Sequence, residues 1–132
     1  MADAGSTTPQ LRKLGIVPGA RWSVVGADTG WHFETDPDAA TEVAPGAPAD
    51  VVIVFVRAAA ELEPVIVEHE HRVFPAGALW IAWPRKAAGH VSDLSDTLVR
   101  DAALARRLVD VKVAALDHNW SALKLVWRRE HR

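Results

Sequence analysis

The chain has 132 residues, of which 49% are apolar and 24% are charged, the profile of one folded globular domain and not of a disordered or fibrous chain. Its 15 basic and 17 acidic residues leave a formal net charge of -2, which excludes the broad positive field that nonspecific nucleic-acid binding needs. The sequence has no cysteine for disulfides, no apolar run near the ~20 residues of a membrane span, and no apolar leader after its polar start. We therefore expect a cytoplasmic protein with neither a nucleic acid nor a membrane as its partner.

The first residues are small and polar, which predicts a disordered tail over residues 1–8 and a single domain over residues 9–132. A short helix is expected directly after the tail. Thr7 or Thr8 would be its N-cap and Pro9 its first helical residue.

Gly15 is expected to end this helix. The β-branched and aromatic residues of 21–25 predict a strand that stops at Gly26. Residues 36–50 carry three prolines and a glycine, so they have room for at most one short strand, near 41–44.

Residues 51–56 form an unbroken apolar run, as in a parallel strand that is covered on both faces. Residues 58–72 have a helical pattern, in which Pro64 implies either a kink or a start nearer Glu63. Residues 78–83 form a second apolar strand. The predicted buried stripe of the intervening helix is Leu62, Ile66, His69 and Val73.

Ser92 is expected to cap a helix over residues 93–108, and the alternation from 109 to 127 around a turn at 117–120 predicts an antiparallel hairpin. The predicted stripe of this helix is Leu94, Leu98, Ala102, Ala105 and Leu108. The fold class is therefore α/β, a three-layer, mostly parallel sheet that closes with an antiparallel hairpin.

Four segments carry a family resemblance. They are Pro18-Gly19-Ala20-Arg21 before the first strand, Ala49-Asp50-Val51-Val52, Pro75-Ala76-Gly77-Ala78-Leu79, and the closing hairpin. In order and spacing they resemble the first, fourth and fifth strands and the final, partly reversed pair of the Rossmann-like fold of S-adenosylmethionine-dependent methyltransferases. A resemblance of this kind implies the fold and not the reaction.

A second set of motifs is Leu14-Gly15-Ile16, Trp83-Pro84-Arg85-Lys86, Gly89-His90-Val91 and Asn119-Trp120-Ser121. In combination they resemble a small, largely actinobacterial family of domains of unknown function. That resemblance supports the fold and implies no reaction.

The methyltransferase cofactor needs a glycine-rich first loop, an acid for the ribose hydroxyls and a wall for adenine. Residues 25–30 supply two glycines but place Val25 where an acid is usual. Asp36, Asp38 or Glu42 could each bind the ribose. Because little chain separates Gly30 from the next strand, we expect the second and third strand region to be truncated, and the cofactor remains unknown.

In a parallel sheet, ligands bind at the carboxyl ends of the strands, and the hairpin turn must lie at the same edge. We therefore predict a ligand-binding face there. Its expected residues are Asp28, Trp31, His32, Arg57, Arg85, Lys86, His90, His118, Asn119 and Trp120.

Each candidate also has a plainer interpretation. Arg85 and Lys86, together with the amides of the helix at Ser92, could hold an anion or could form a solvated basic loop. His90 and His118 could act as acid, base or ligand or could be surface residues.

We predict no metal site and no catalytic set. His69 and His71 cannot chelate together on a helix, because residues two apart diverge. The serines have no nucleophile elbow. Among the indoles, Trp80 is expected in the core, Trp22 and Trp127 in packing, and Trp31, Trp83 and Trp120 could line a pocket.

The leading interpretation is a degenerate methyltransferase-like domain that binds a small ligand or a protein partner, as a monomer or homodimer, with any enzymatic activity left open. The alternative is a small-molecule methyltransferase completed by a partner subunit, whose dimer interface would cover residues 36–50. A third is a purely structural interaction module, which burial of Trp31, Trp83 and Trp120 would favour.

Overall fold

The computed structural model describes residues 8–132, so that the tail predicted for 1–8 lies, except for its last residue, outside the described residues. Six strands form one sheet: β1 (Arg21–Val25), β2 (Thr41–Glu42), β3 (Val51–Phe55), β4 (Ala78–Pro84), β5 (Leu108–Ala115) and β6 (Trp120–Trp127). Three α-helices accompany it: α1 (Gln10–Leu14), α2 (Leu62–His69) and α3 (Asp96–Leu104). None of the helices in the described part is long and apolar enough to cross a membrane.

The strand order in the sheet is β2-β1-β3-β4-β6-β5. The first four of these pair in parallel, and β6 runs antiparallel to both β4 and β5. This confirms the predicted fold class, including the C-terminal antiparallel hairpin. The second strand has two residues and lies within 41–44, where residues 36–50 are expected to have room for at most one short strand.

The central strands separate two hydrophobic layers. Val52 and Ile81 point to the face that packs against α2 and α3, here called the helical face. Ile53 and Trp80 point to the other, covered by α1 and the irregular segment 26–40, here called the loop face. Since β3 is buried along its whole length, both layers cover it, as its unbroken apolar sequence predicts.

The first helix is where the sequence predicts it, and Gly15 ends it in a left-handed conformation at φ 85°, with its N–H bonded to the Arg12 carbonyl. Its N-cap is Pro9, without a capping side-chain bond, so the prediction of Thr7 or Thr8 as the cap is wrong. Proline suits this position because it has no N–H to leave unpaired.

The helix predicted over 58–72 is an α-helix only at Leu62–His69, with 3-10 turns at 59–61 and 70–73. Of the two options for Pro64, the later start is correct, because this residue lies in the first turn, where a missing N–H breaks no helical bond. All four residues of the predicted stripe are buried.

The helix predicted over 93–108 is shorter, and Ser95 rather than Ser92 caps it, with the Oγ of Ser95 accepting from the Leu98 N–H at 3.2 Å. The Ser92 Oγ instead accepts from the Leu94 N–H in a turn ahead of the helix. The later start also changes the stripe. Val99 and Ala103 are its buried residues, Leu98 and Ala105 are exposed, and Leu94 and Leu108 are buried outside the helix.

The hairpin is as predicted, except that the regular alternation of β5 is interrupted by a bulge between Asp110 and Lys112. Val111 is 52% exposed, because β5 lies at the edge of the sheet. Bulges are common at such edges, where they limit pairing with other strands.

Candidate functional site

The carboxyl ends of β1, β3, β4 and β5 lie at one edge, because β5 runs in the same direction as β4. Arg57 follows β3 and contacts two other residues of the predicted face, Asp28 and Trp120. Its Nη2 donates to Asp28 Oδ1 at 2.5 Å, and its Cζ lies 5.3 Å from the centre of the Trp120 ring. A guanidinium at this distance over indole is a cation–π contact.

Two further contacts join the segment after β4 to the hairpin turn. The Arg85 N–H donates to the Asn119 carbonyl at 2.8 Å, and its Nη1 donates to the His118 carbonyl at 3.3 Å. His90 Nε2 lies 3.0 Å from Asn119 Oδ1. The structure therefore brings most of the predicted face together, but its polar groups are largely engaged with one another.

Asp117 organises this edge and is absent from the predicted site. Its Oδ1 accepts the N–H groups of Asn119 and Trp120, and its Oδ2 accepts the Trp31 Nε1–H at 2.9 Å. An aspartate at the first position of a turn commonly bonds the backbone ahead of it, so the sequence signals its turn role. The bond to an indole 86 residues away has no local signal.

Arg85 and Lys86 line a shallow depression of about 350 Å³ together with Trp83, Ser95 and Asp96. The predicted anion site required free amides at Ser92, but the helix begins later, so the prediction about Ser92 is wrong. Asp96 adds a carboxylate to the same depression. A negative charge in the first helical turn opposes an anion there.

An opening larger than this depression is the aromatic cleft of about 520 Å³ on the loop face, beside β1. Its lining is Trp22, Val24, Ala27, Trp31, His32, Phe33, Asp36, Pro37 and Glu42. A volume of this size is typical of small-molecule sites. Of the ten predicted ligand-binding residues, Trp31 and His32 line this cleft, and the other eight do not.

The rings of the cleft belong to a continuous edge-to-face series. Trp22 and Trp31 each lie about 5 Å, centre to centre, from Phe33, and Trp31 lies 5.1 Å from Phe55. Phe55 in turn lies 4.7 Å from Trp120. The cleft and the carboxyl edge are thus joined by packed rings, a favourable arrangement that holds the indole faces in place.

The polar groups of the cleft are mainly acceptors. His32 Nδ1 lies 2.8 Å from the Phe33 carbonyl, which can only accept, so this nitrogen carries the proton and Nε2 is the acceptor in the neutral ring. Asp36 and Glu42 add exposed carboxylates. His32 Nδ1 and the Trp31 Nε1–H already donate to other groups, and the Trp22 Nε1–H is buried and has no partner within residues 8–132.

The indoles differ from the predicted assignment at two positions, Trp22 and Trp120, since Trp120 lines neither the cleft nor the depression. Trp22 packs on the loop face as expected, but it also lines the cleft. Trp83 and Trp120 are buried, whereas Trp31 is half-buried. Trp80 lies in the core and Trp127 in the helical-face layer, as predicted.

Within the described part of the chain, no group of three or more His, Asp or Glu side chains is placed to hold a metal ion. His69 is buried and His71 is exposed, so the two diverge as the helical spacing predicts.

No family model matches this sequence, and no curated protein matches it either, so the likeness to an actinobacterial family stays a prediction. Solved structures do match. A protein of the NADB-Rossmann superfamily from Streptococcus agalactiae aligns over 91% of this chain and 68% of its own, with 11% identity and a TM-score of 0.52.

Two further matches point to the same fold. The fibrillarin pre-rRNA processing protein of Methanococcus jannaschii has a TM-score of 0.56 at 11% identity, over 85% of this chain and 68% of that one. A tRNA methyltransferase of B. subtilis has a TM-score of 0.53 at 10% identity, over 90% and 65%. The chain therefore has a Rossmann-like, methyltransferase-like fold and spans about two thirds of the length of these neighbours.

Proposed function

We propose that this methyltransferase-like domain binds a small ligand in the aromatic cleft and that the ligand has a flat or cationic face and hydrogen-bond donors. The observation that carries the proposal is the lining itself, in which the ring surfaces of Trp22 and Trp31 meet the carboxylates of Asp36 and Glu42. Indole faces attract cations and planar groups. Carboxylates at the rim favour the same ligands and repel anions.

The proposal is also supported by Trp31, whose half-buried indole is held in place before any ligand arrives. Trp31 is bonded to Asp117 and packed edge to face on Phe33 and Phe55. A ring that is already positioned loses little conformational entropy when a ligand stacks on it. The Trp22 Nε1–H is buried without a partner, so a ligand acceptor that reached it would recover a lost hydrogen bond.

The second candidate is methyl transfer from S-adenosylmethionine in a site completed by a partner subunit. One observation favours it: the cofactor is a sulfonium nucleoside, and the cleft has the aromatic and acidic character that suits a cationic nucleoside. Three lining residues, Asp36, Pro37 and Glu42, lie in the segment 36–50 that a second subunit would cover.

Binding can be measured by calorimetry and by quenching of tryptophan fluorescence, with S-adenosylmethionine, S-adenosylhomocysteine, adenosine and benzyltrimethylammonium as probes. We expect saturable binding of at least one cationic probe. Asp36→Asn should weaken it about three- to tenfold, since one partly screened charge contact is lost. Asp38→Asn is the matched control, because Asp38 lies two residues away and outside the cleft.

Absence of saturable binding by all four probes would overturn the proposal, as would equal effects of the two variants. Binding of the cofactor pair together with a homodimer that Glu42→Arg dissociates would favour the second candidate. A monomer at all concentrations would count against it.

A further inference from the structure

A second cavity lies on the helical face of β1 and β2, across the sheet from the aromatic cleft. Its volume is about 540 Å³. Ser23 lines it from the sheet, Gly46 from the segment after β2, and Glu68, His69, His71 and Arg72 from the end of α2 and the turn that follows. The cavity exists because no helix lies between β1 and β2 within residues 8–132 to cover this part of the face.

Arg72 is the unusual residue of this cavity, because its side chain is only 1% exposed and no carboxylate lies within ion-pair distance among the described residues. Its Nε donates to the Ala47 carbonyl at 2.8 Å, and its Nη1 lies 3.2 Å from His69 Nδ1. Its Nη2 is buried without a partner. A buried guanidinium with an unpaired nitrogen is costly unless an anion compensates it.

Two other arginines of the described chain are each paired with a carboxylate, as is usual for a partly buried guanidinium. Arg106 pairs with the buried Glu70, and Arg100 Nε lies 2.9 Å from Asp110 Oδ2. Both of those arginines are more exposed than Arg72. The most buried arginine therefore lacks the carboxylate that its less buried counterparts have.

His69 does not supply the missing charge. Because Arg72 Nη1 can only donate, His69 Nδ1 must accept, which places the imidazole proton on Nε2. Burial lowers the pKa of His69, and the neighbouring Arg72 contributes in the same direction against the exposed Glu68, so the ring stays neutral near pH 7. The guanidinium therefore lines the cavity without a carboxylate at ion-pair distance among the described residues, and the charge of the exposed Glu68 acts on it only from farther away.

We propose that this cavity binds a small oxyanion, a phosphate or carboxylate group, on the buried guanidinium of Arg72. The site lies on the opposite face of the sheet from the aromatic cleft and has the opposite charge preference, and Val24 and Glu42 line both cavities. The exposed side chains of Glu68 and His71 lie at its opening, where exposed side chains reorient on the picosecond to nanosecond scale and can admit a ligand. Glu68 and Glu42 also line the cavity and lower the affinity, because their carboxylates repel the anion.

The test is calorimetry and thermal unfolding of the whole chain in sodium phosphate, sodium acetate and sodium chloride at equal ionic strength. Phosphate or acetate is expected to give a saturable rise in Tm of about 2 to 6 °C over chloride. A response to phosphate alone identifies a phosphate site, and a response to acetate identifies a carboxylate site. Equal melting temperatures in all three salts would overturn the proposal.

Two variants on α2 provide the matched comparison. Glu68→Gln should tighten binding about two- to tenfold, because it removes a nearby negative charge. Glu63→Gln, an exposed glutamate of the same helix outside the cavity, should leave binding unchanged. Equal effects would indicate general charge screening and would overturn the site.

Arg72→Met should abolish the response to the anion. If this variant does not fold, the Glu68 and Glu63 pair decides the question alone. Asp36→Asn, which alters the aromatic cleft, should leave anion binding unchanged, so the two sites can fail separately.

Discussion

The two halves of the sheet differ in how they are covered. β4 is buried along six of its seven residues and pairs with a strand on each side, whereas β2 has two residues, both exposed. Both larger cavities border β1 and β2, one on each face. One part of this fold therefore serves as a scaffold, while the other leaves sheet surface open to a ligand.

The cause lies in the chain between β1 and β3. Where β3 and β4 are joined through α2, β1 and β2 are joined by the irregular segment 26–40. An irregular segment covers the loop face incompletely and leaves the helical face of β1 without a helix. Stability is therefore expected to be concentrated in β3, β4 and β6.

The largest expected effect is Trp80→Ala in the covered half. Trp80 is fully buried, and its Nε1–H donates to the Leu14 carbonyl at 3.1 Å, which ties α1 to the sheet. The variant should lower the free energy of unfolding by about 3–5 kcal/mol, since it leaves a cavity and an unpaired carbonyl. Urea denaturation followed by circular dichroism measures the loss.

The counterpart in the open half is Val24→Ala. Val24 is half-buried and lines both cavities, so its truncation should cost about 1 kcal/mol or less. Equal losses in the two variants would show that the halves do not differ in the way their coverage suggests.

A smaller effect is expected from pH, at the border between the halves. Burial holds the pKa of His69 below its ordinary value of 6.5, so the unfolded chain takes up a proton at a higher pH than the folded chain does. The stability that the neutral His69 ring gives the folded chain is fully present above about pH 6.5. It is lost as the pH falls through the lower pKa that His69 has in the folded chain.

Unfolding free energies measured from pH 8 to pH 5 check this. His69→Gln should flatten the decline, and the exposed His71→Gln should not. A wild-type profile that rises as the pH falls would contradict the assignment of the neutral ring.

The smallest effect is expected at the carboxyl edge. The Arg57 and Asp28 side chains are 42% and 66% exposed, so their ion pair is largely screened by solvent. Asp28→Asn should cost no more than about 1 kcal/mol and less at high salt. A double-mutant cycle with Arg57→Gln isolates the pair, and a coupling energy well above that limit would show that this edge is more rigid than its exposure suggests.

The covered half of the fold could be predicted from the sequence because its signals are local. The apolar runs of β3 and β4 and the alternation of β6 identify their strands within a residue or two. The start of α3 could not be predicted, since Ser92 and Ser95 are both suitable caps, and only tertiary packing of Leu94 before the helix decides between them.

The candidate site likewise has one part that the sequence predicts, the carboxyl edge, and one part that it does not, the aromatic cleft. The common edge of Arg57, His90 and Asn119 follows from strand direction alone, so sequence reasoning could predict it. The aromatic cleft depends on how residues 26–40 cross the loop face, which no periodicity encodes. The place of Trp22 in the cleft and the contact of Asp117 with Trp31 have no sequence signal, because each depends on how another segment of the chain packs against it.

The edge-to-face series that runs from Trp22 through Trp31 to Trp120 has an optical consequence. With six tryptophans and no tyrosine, near-ultraviolet emission of this chain comes from indoles alone. Three of those chromophores are separated by single phenylalanine rings, close enough to exchange excitation energy. A bound ligand that quenches the indole at one end of the series should therefore also lower the fluorescence of the other two. Ligand binding can then be followed by intrinsic fluorescence, without an attached dye.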